Sequence, residues 1–405
     1  MIASVRGWKF RRKPSRTCNT NPTVHQLKAL PPLSLYVHMP WCVRKCPYCD
    51  FNSHEAGANL DESAYLQALM RDLESSLPEI WGRRIESVFI GGGTPSLISP
   101  ETMARLISNI RALLSITPLT EITMEANPGT IDVEDFSGFV DAGINRLSIG
   151  IQSFNDEKLR ALGRIHNRME ALKAFDTARR AGFKNINLDL MFGLPNQTEQ
   201  EAIDDLRTAI DLQPEHISLY QLTIEPNTLF HHQPPELPSD DATWSMQQVL
   251  QSMLADAGYQ KYEVSAYARP GKQCRHNLNY WQFGDYLGIG AGAHGKISTP
   301  DRIARTSKRR NPRDYMDTAG QSICESGREL TASDRSLEFM MNMLRLTDGF
   351  PLAMFQERTG LPINQIVPAL GEAEKKGLIE RDAIHLRPTE TGQRYLNDLL
   401  QIFMP

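Results

Sequence analysis

The chain has 405 residues, 40% of them hydrophobic and 23% charged, which is enough for one large domain and a smaller one. A formal net charge of -4 argues against nucleic-acid binding by the whole chain, and no apolar run is long enough to span a bilayer. Six cysteines in so long a chain are too sparse for a disulfide framework and fit a reducing, cytoplasmic setting.

In chain order, residues 1–30 carry seven Lys and Arg and no acid. Pro14 and Pro22 interrupt any amphipathic helix there, so the segment is read as a basic, disordered arm, with a transit peptide or an over-extended start as alternatives. Such an arm is compatible with peripheral contact at an anionic membrane surface.

From Pro32 onward, six short apolar or β-branched runs alternate with helical stretches. They are "LSLYVHM" (33–39), "SVFI" (87–90), "EITME" (121–125), "RLSIGI" (146–151), "NINLDLM" (185–191) and "HISLYQL" (216–222). This alternation predicts a parallel α/β sheet rolled into a full or partial barrel over residues 31–235, with its ligand-binding loops at the carboxyl ends of the strands. Residues 236–330 read as a barrel extension in which "RHNLNYWQFGDYLGIGAGAHG" is rich in His, aromatics and Gly. Residues 331–405 read as three helices, a short β wing and a last helix, a winged-helix-like outline. Acids slightly outnumber bases there, so a structural or docking module is favoured over DNA binding.

The chemistry concentrates on the predicted rim. "YVHMPWCVRKCPYCDFNSH" sets Cys42, Cys46 and Cys49 at C-x3-C-x2-C after the first strand. Three thiolates without a fourth nearby fit an iron-sulfur cluster with one open iron; a zinc site completed by His38 or His54 is the alternative. Tyr48, beside the last cysteine, could shield a cluster or simply pack in the core. Gly91 to Gly93 follow the second strand and permit close backbone approach, with Thr94 and Pro95 turning the chain. Glu125, Gln152 and Asp189 are polar groups in or just after strands that otherwise read as buried. Each could cap a helix or pair with an arginine, but ligand contact is a reasonable use for a buried carboxylate or amide.

The cysteine stretch resembles the signature of radical S-adenosylmethionine (SAM) proteins. The resemblance implies a partial (β/α)6 barrel with a C-terminal winged-helix-like α domain. It also implies a 4Fe-4S cluster on Cys42, Cys46 and Cys49, with SAM chelated to the open iron. Within that superfamily, "FIGGGTPSL", "EANPGT", "NRLSIGIQSF", "LGRIH" and "LDLMFGLPNQ" resemble the branch that holds oxygen-independent coproporphyrinogen III oxidase and its heme-chaperone sisters. For SAM, the likeness implies contacts from Tyr36, Gly92, Gly93, Thr94, Glu125, Gln152, Arg164 and Asp189. The oxidase carries a further cysteine two residues after the third, where this chain has Phe51, so the likeness favours the chaperones. "HNLNYW" (276–281) matches an H-N-x-x-Y-W motif associated with heme binding in them. It nominates His276 as an axial ligand and Tyr280 and Trp281 as porphyrin contacts, and His294, in the flexible "GAGAHG", is a separate candidate for a second ligand. The expected cargo is heme and the expected partners are apo-hemoproteins of the respiratory chain, with a homodimer compatible with the reading and no nucleic acid.

Overall fold

The computed structural model describes residues 26–57, 60–129, 133–318 and 323–404. The basic arm expected over residues 1–30 therefore falls almost wholly outside the described residues. The six expected strands are β1 (Leu33–Met39), β2 (Ile85–Gly92), β3 (Glu121–Ala126), β4 (Arg146–Gln152), β5 (Ile186–Phe192) and β6 (His216–Gln221), each parallel to the next. Six more complete the sheet: β7 (Gln260–Lys261), β8 (Ala266–Ala268), β9 (Asp285–Ile289), β10 (His294–Ser298), β11 (Ile303–Lys308) and β12 (Cys324–Glu329). The spatial order is β12-β11-β10-β9-β1-β2-β3-β4-β5-β6-β8-β7. Strand β9 is parallel to β1, so the segment expected as an extension supplies a seventh parallel strand and edges at both ends of one sheet.

Helices cover one face of this sheet. Thr198 and Asn167 cap Glu199–Asp211 and Arg168–Arg180 with reciprocal capping boxes, satisfying amides that the first turn leaves unbonded. On the covered face Leu35, Val37, Val88, Ile90, Ile149 and Leu188 pack in the main apolar core. The opposite face is polar, unlike an ordinary buried parallel sheet. Ser34 meets Ser87 at 2.8 Å, and Asn187 donates to Asp189 at 3.0 Å and to Ser148 at 2.7 Å. His216 bonds Asn187 at 2.6 Å and the Tyr262 hydroxyl at 2.8 Å.

The start of the barrel is closed by the helix Arg275–Trp281. Glu121, the first residue of β3, accepts from the Arg275 and His276 amides at 2.9 and 3.3 Å, and Asn279 donates to Ser34 at 2.9 Å. Past it, the helices Ala332–Met343, Ala353–Thr359 and Val367–Lys375 accompany a small sheet in which His385–Pro388 pairs with Ile379–Arg381 and with Phe350–Pro351. This is the expected winged-helix-like outline, with its own apolar core around Phe339, Phe350 and Phe355. No helix among the described residues is long and apolar enough to cross a membrane.

His276 lies inside this floor, 2% exposed, with Nδ1 3.1 Å from Ser87 Oγ. Burial, and then the nearby Arg146 charge, push its pKa down to about 3. The unfolded chain takes up a proton below about pH 6.5 that the folded chain refuses until about 3, so stability is complete above that window and lost as pH falls through it. Urea midpoints measured from pH 7 to 4.5 should fall steadily, and a His276→Gln variant, less stable at pH 7, should show a flatter fall.

Candidate cofactor site

Every motif singled out on the rim lies at the carboxyl end of its strand. The cysteine loop leaves β1 through Trp41–Cys42, which pairs with His54–Glu55 so that residues 43–53 form a closed loop. Backbone bonds from Gly93 to Met39 carbonyl (2.7 Å) and from Thr94 to Trp41 carbonyl (2.6 Å) lock the glycine turn to its base. Gly92 has φ +116, and a Cβ there would overlap the His38 ring, while one on Gly93 would overlap the Trp41 carbonyl. Only glycine fits this crossing.

The three thiols are half-buried and unlinked by disulfides. Burial pushes Cys42 and Cys49 up, Cys49 to about 11, and neighbouring thiols add to the shift, so metal binding must displace protons. Among the described residues no three or more His, Cys, Asp or Glu converge on one point as a single ion requires. A multinuclear cluster needs no such convergence, because each cysteine takes a different iron. The zinc alternative loses His38, whose ring nitrogens are bonded to Tyr36 Oη at 3.0 Å and the Asn52 carbonyl at 2.9 Å.

Arg164, expected to contact SAM, has the geometry of a brace. Nη1 approaches Cys46 Sγ at 3.7 Å, and Nη2 donates to Asn127 Oδ1 at 2.8 Å and to the Gly150 carbonyl at 2.7 Å. Asn127 in turn donates to Thr94 Oγ1 at 2.9 Å. The chain of contacts ties the cysteine loop to the ends of β2, β3 and β4. Tyr48 lies over this brace and tilts against Phe230, 6.4 Å between ring centres.

Glu125 accepts the Gly92 amide at 2.9 Å, and burial pushes its carboxyl up. Gln152 ends β4 with φ 69, where the register with β5 slips, and its buried Oε1 has no partner. A buried acceptor without a donor costs roughly 1–3 kcal/mol, and a strained non-glycine backbone adds to that, so the residue is shaped for something else. The glycine turn, the buried Glu125 and the orphaned Gln152 carbonyl suit an amino acid's ammonium and carboxyl groups. These residues therefore fit SAM, and the three cysteines fit the cluster.

Five nominated residues differ from expectation. Asp189 is not an unpartnered carboxylate: Ser148 and Asn187 donate to its two oxygens at 2.9 and 3.0 Å, below the rim. His276, Tyr280 and Trp281 do not share an open face. His276 is sealed in the barrel floor beside Phe89, 5.1 Å between ring centres, and Trp281 is buried in the C-terminal core under Arg345. His294 is not in a flexible loop but begins β10, paired with Ser307, and is exposed. An iron porphyrin reaches His276 only if the floor helix moves. Asn127 and Asn52, which sequence reasoning passed over, hold the rim together; Asn52 Nδ2 donates to the Ala291 and Arg310 carbonyls at 3.0 and 2.8 Å.

Residues 36–209 match the radical SAM superfamily and residues 330–395 the HemN C-terminal domain. The structure of coproporphyrinogen III oxidase (HemN) from Escherichia coli, described as a radical SAM enzyme, has the same fold, with a TM-score of 0.79 over 94% of this chain and 92% of that one at 23% identity. Fold and site thus define a radical SAM protein. Heme chaperone HemW of Escherichia coli (strain K12) is 51% identical, covering 93% of this chain and 99% of its own length, and that of Haemophilus influenzae is 50% identical, covering 93% and 98%. The chain belongs to the HemW family.

Proposed function

We propose that this protein is a heme carrier. It holds a 4Fe-4S cluster on Cys42, Cys46 and Cys49 and SAM on the adjoining rim, accepts heme, and passes it to apo-hemoproteins of the respiratory chain. The carrying observation is the full-length kinship with HemW proteins. Phe51, in place of the cysteine expected of the oxidase, agrees with it.

When bound, the cluster and SAM supply one-electron chemistry. The chain's own residues do the positioning. Arg164 places a positive charge against Cys46 Sγ, while Asn127 and Thr94 fix the spacing between thiol and glycine turn. Tyr36, Gly92, Gly93, Thr94, Glu125 and Gln152 hold SAM, with Glu125 taking the ammonium. Arg164 serves this site as a brace, and Asp189 acts from below through the polar face. A Gln152→Ala variant should bind SAM about tenfold more weakly in equilibrium dialysis, the worth of about one good hydrogen bond, with unchanged iron content.

Anaerobic titration of the reconstituted protein with hemin, followed by absorption, should saturate near about one heme per chain. The same preparation with SAM and a reductant should leave coproporphyrinogen III intact. Failure to bind heme, together with decarboxylation, would make the chain an oxidase.

A further inference from the structure

Resting on the reading of Gln152 as a SAM contact, we propose that Asp205 and His166 are positioning residues for SAM, which clamp from either side the turn that presents Gln152. Neither touches the ligand itself.

The turn is one that needs holding. Gln152 has φ 69 at the point where the pairing of β4 with β5 slips, and the Ser153 amide folds back to the Ile151 carbonyl at 2.9 Å. A non-glycine residue in the left-handed region persists only where its surroundings over-determine it, and relaxation to extended backbone would redirect the side chain.

Asp205 is one jaw. It lies on the helix Glu199–Asp211 among the buried residues Ala202, Leu206 and Ala209, and is 5% exposed. A carboxylate on that stripe breaks the amphipathic pattern and is costly to bury unless it is well bonded. Both of its oxygens go to the turn: Oδ2 accepts from the Ser153 hydroxyl at 2.5 Å and Oδ1 from the Phe154 amide at 2.7 Å. Burial pushes the carboxyl up to about 6, which leaves it ionised at neutral pH as the double acceptor this geometry uses. Arg168 adds to the hold by donating to the Phe154 carbonyl at 3.3 Å.

His166 is the other jaw. Its Nε2 lies 3.0 Å from the carbonyl of Ile151, the residue before Gln152. A carbonyl only accepts, so Nε2 carries the proton. Burial, and then the Arg164 charge, push the ring's pKa down to about 4, so it is neutral when it does so.

The residue before Gln152 and the two after it are thus fixed by side chains from other elements, while Gln152 Oε1 itself is left bare. Starting the next helix does not call for this. Asn155 caps Asp156–Ala161 by accepting the Glu157 and Lys158 amides, with no contribution from Asp205 or His166.

The test is equilibrium dialysis of SAM against cluster-reconstituted protein, with iron content confirming each preparation. Asp205→Ala and His166→Phe should each bind SAM about tenfold more weakly than wild type, as Gln152→Ala should. Asp205→Asn, which keeps an acceptor for the Phe154 amide, should lose only about threefold. Placed in a Gln152→Ala background, Asp205→Ala and His166→Phe should cost nothing more, because they act through the side chain already removed. Losses that multiply to about a hundredfold in the double variants would overturn the clamp, and wild-type affinity in a folded Asp205→Ala or His166→Phe protein would remove that jaw. If Asp205→Ala does not fold, Asp205→Asn and its double variant with Gln152→Ala decide the matter in the same way. Gln152→Ala binding SAM as tightly as wild type would instead remove the contact on which the clamp rests.

Discussion

Cys49→Ser protein, reconstituted anaerobically with iron and sulfide, should retain less than about a tenth of the wild-type iron and lose the broad cluster absorption. With three protein thiolates for the cluster, each holds one iron, and the hydroxyl of serine is a poor replacement for a thiolate toward iron. Cys42→Ser and Cys46→Ser should behave alike. The controls are built into the chain. Cys274 is buried in the barrel floor with Sγ 3.6 Å from Glu121, and Cys324 begins the edge strand β12, so Cys274→Ser and Cys324→Ser should keep a full cluster. If Cys274→Ser lost iron as Cys49→Ser does, iron binding would not be the property of the rim.

The second large effect is on stability. Asp285 opens β9 and is completely buried, with Lys296 Nζ at 2.7 Å, Arg83 Nη1 at 2.9 Å, and the Ser298 amide and hydroxyl at 2.9 and 2.8 Å. Burial alone would raise its carboxyl, but the two cations hold it below the usual carboxylate range. Asp285→Ala leaves Lys296, 1% exposed, without its counter-charge and frees the strand that flanks β1. Breaking a buried pair from one side costs about 3–5 kcal/mol, so the urea midpoint should drop sharply. Adding Lys296→Met to Asp285→Ala should recover part of the loss, because the stranded charge is then gone. A single variant as stable as wild type would mean that the cluster of charges contributes nothing to seating β9.

Much of the barrel was legible because its strands are short apolar runs bounded by glycine, proline and polar turns, and β1 matches "LSLYVHM" residue for residue. The rim was legible for a different reason. Cysteine spacing and consecutive glycines are local patterns, and β-to-α order places them at one end. Strand β9 was not legible, since "DYLGI" earns its place only by pairing with β1, some 250 residues earlier. Asp189 was misread for the same kind of reason: one partner, Ser148, comes from the neighbouring strand, and the sequence does not reveal strand register. The motif "HNLNYW" looked like an open site because its residue types suit a porphyrin. Its burial is decided by Glu121 and Ser34, which anchor the helix across the barrel floor.

The most direct test of the account is transfer. Cluster-reconstituted protein loaded with heme, freed of excess by gel filtration, is mixed anaerobically with SAM and a heme-free respiratory hemoprotein, and the acceptor's spectrum is followed. The account predicts that the acceptor's holo spectrum grows as the donor's Soret band declines, faster than with an equal amount of heme on albumin. An acceptor that fills no faster than from albumin, while the protein keeps its heme, would contradict a carrier function.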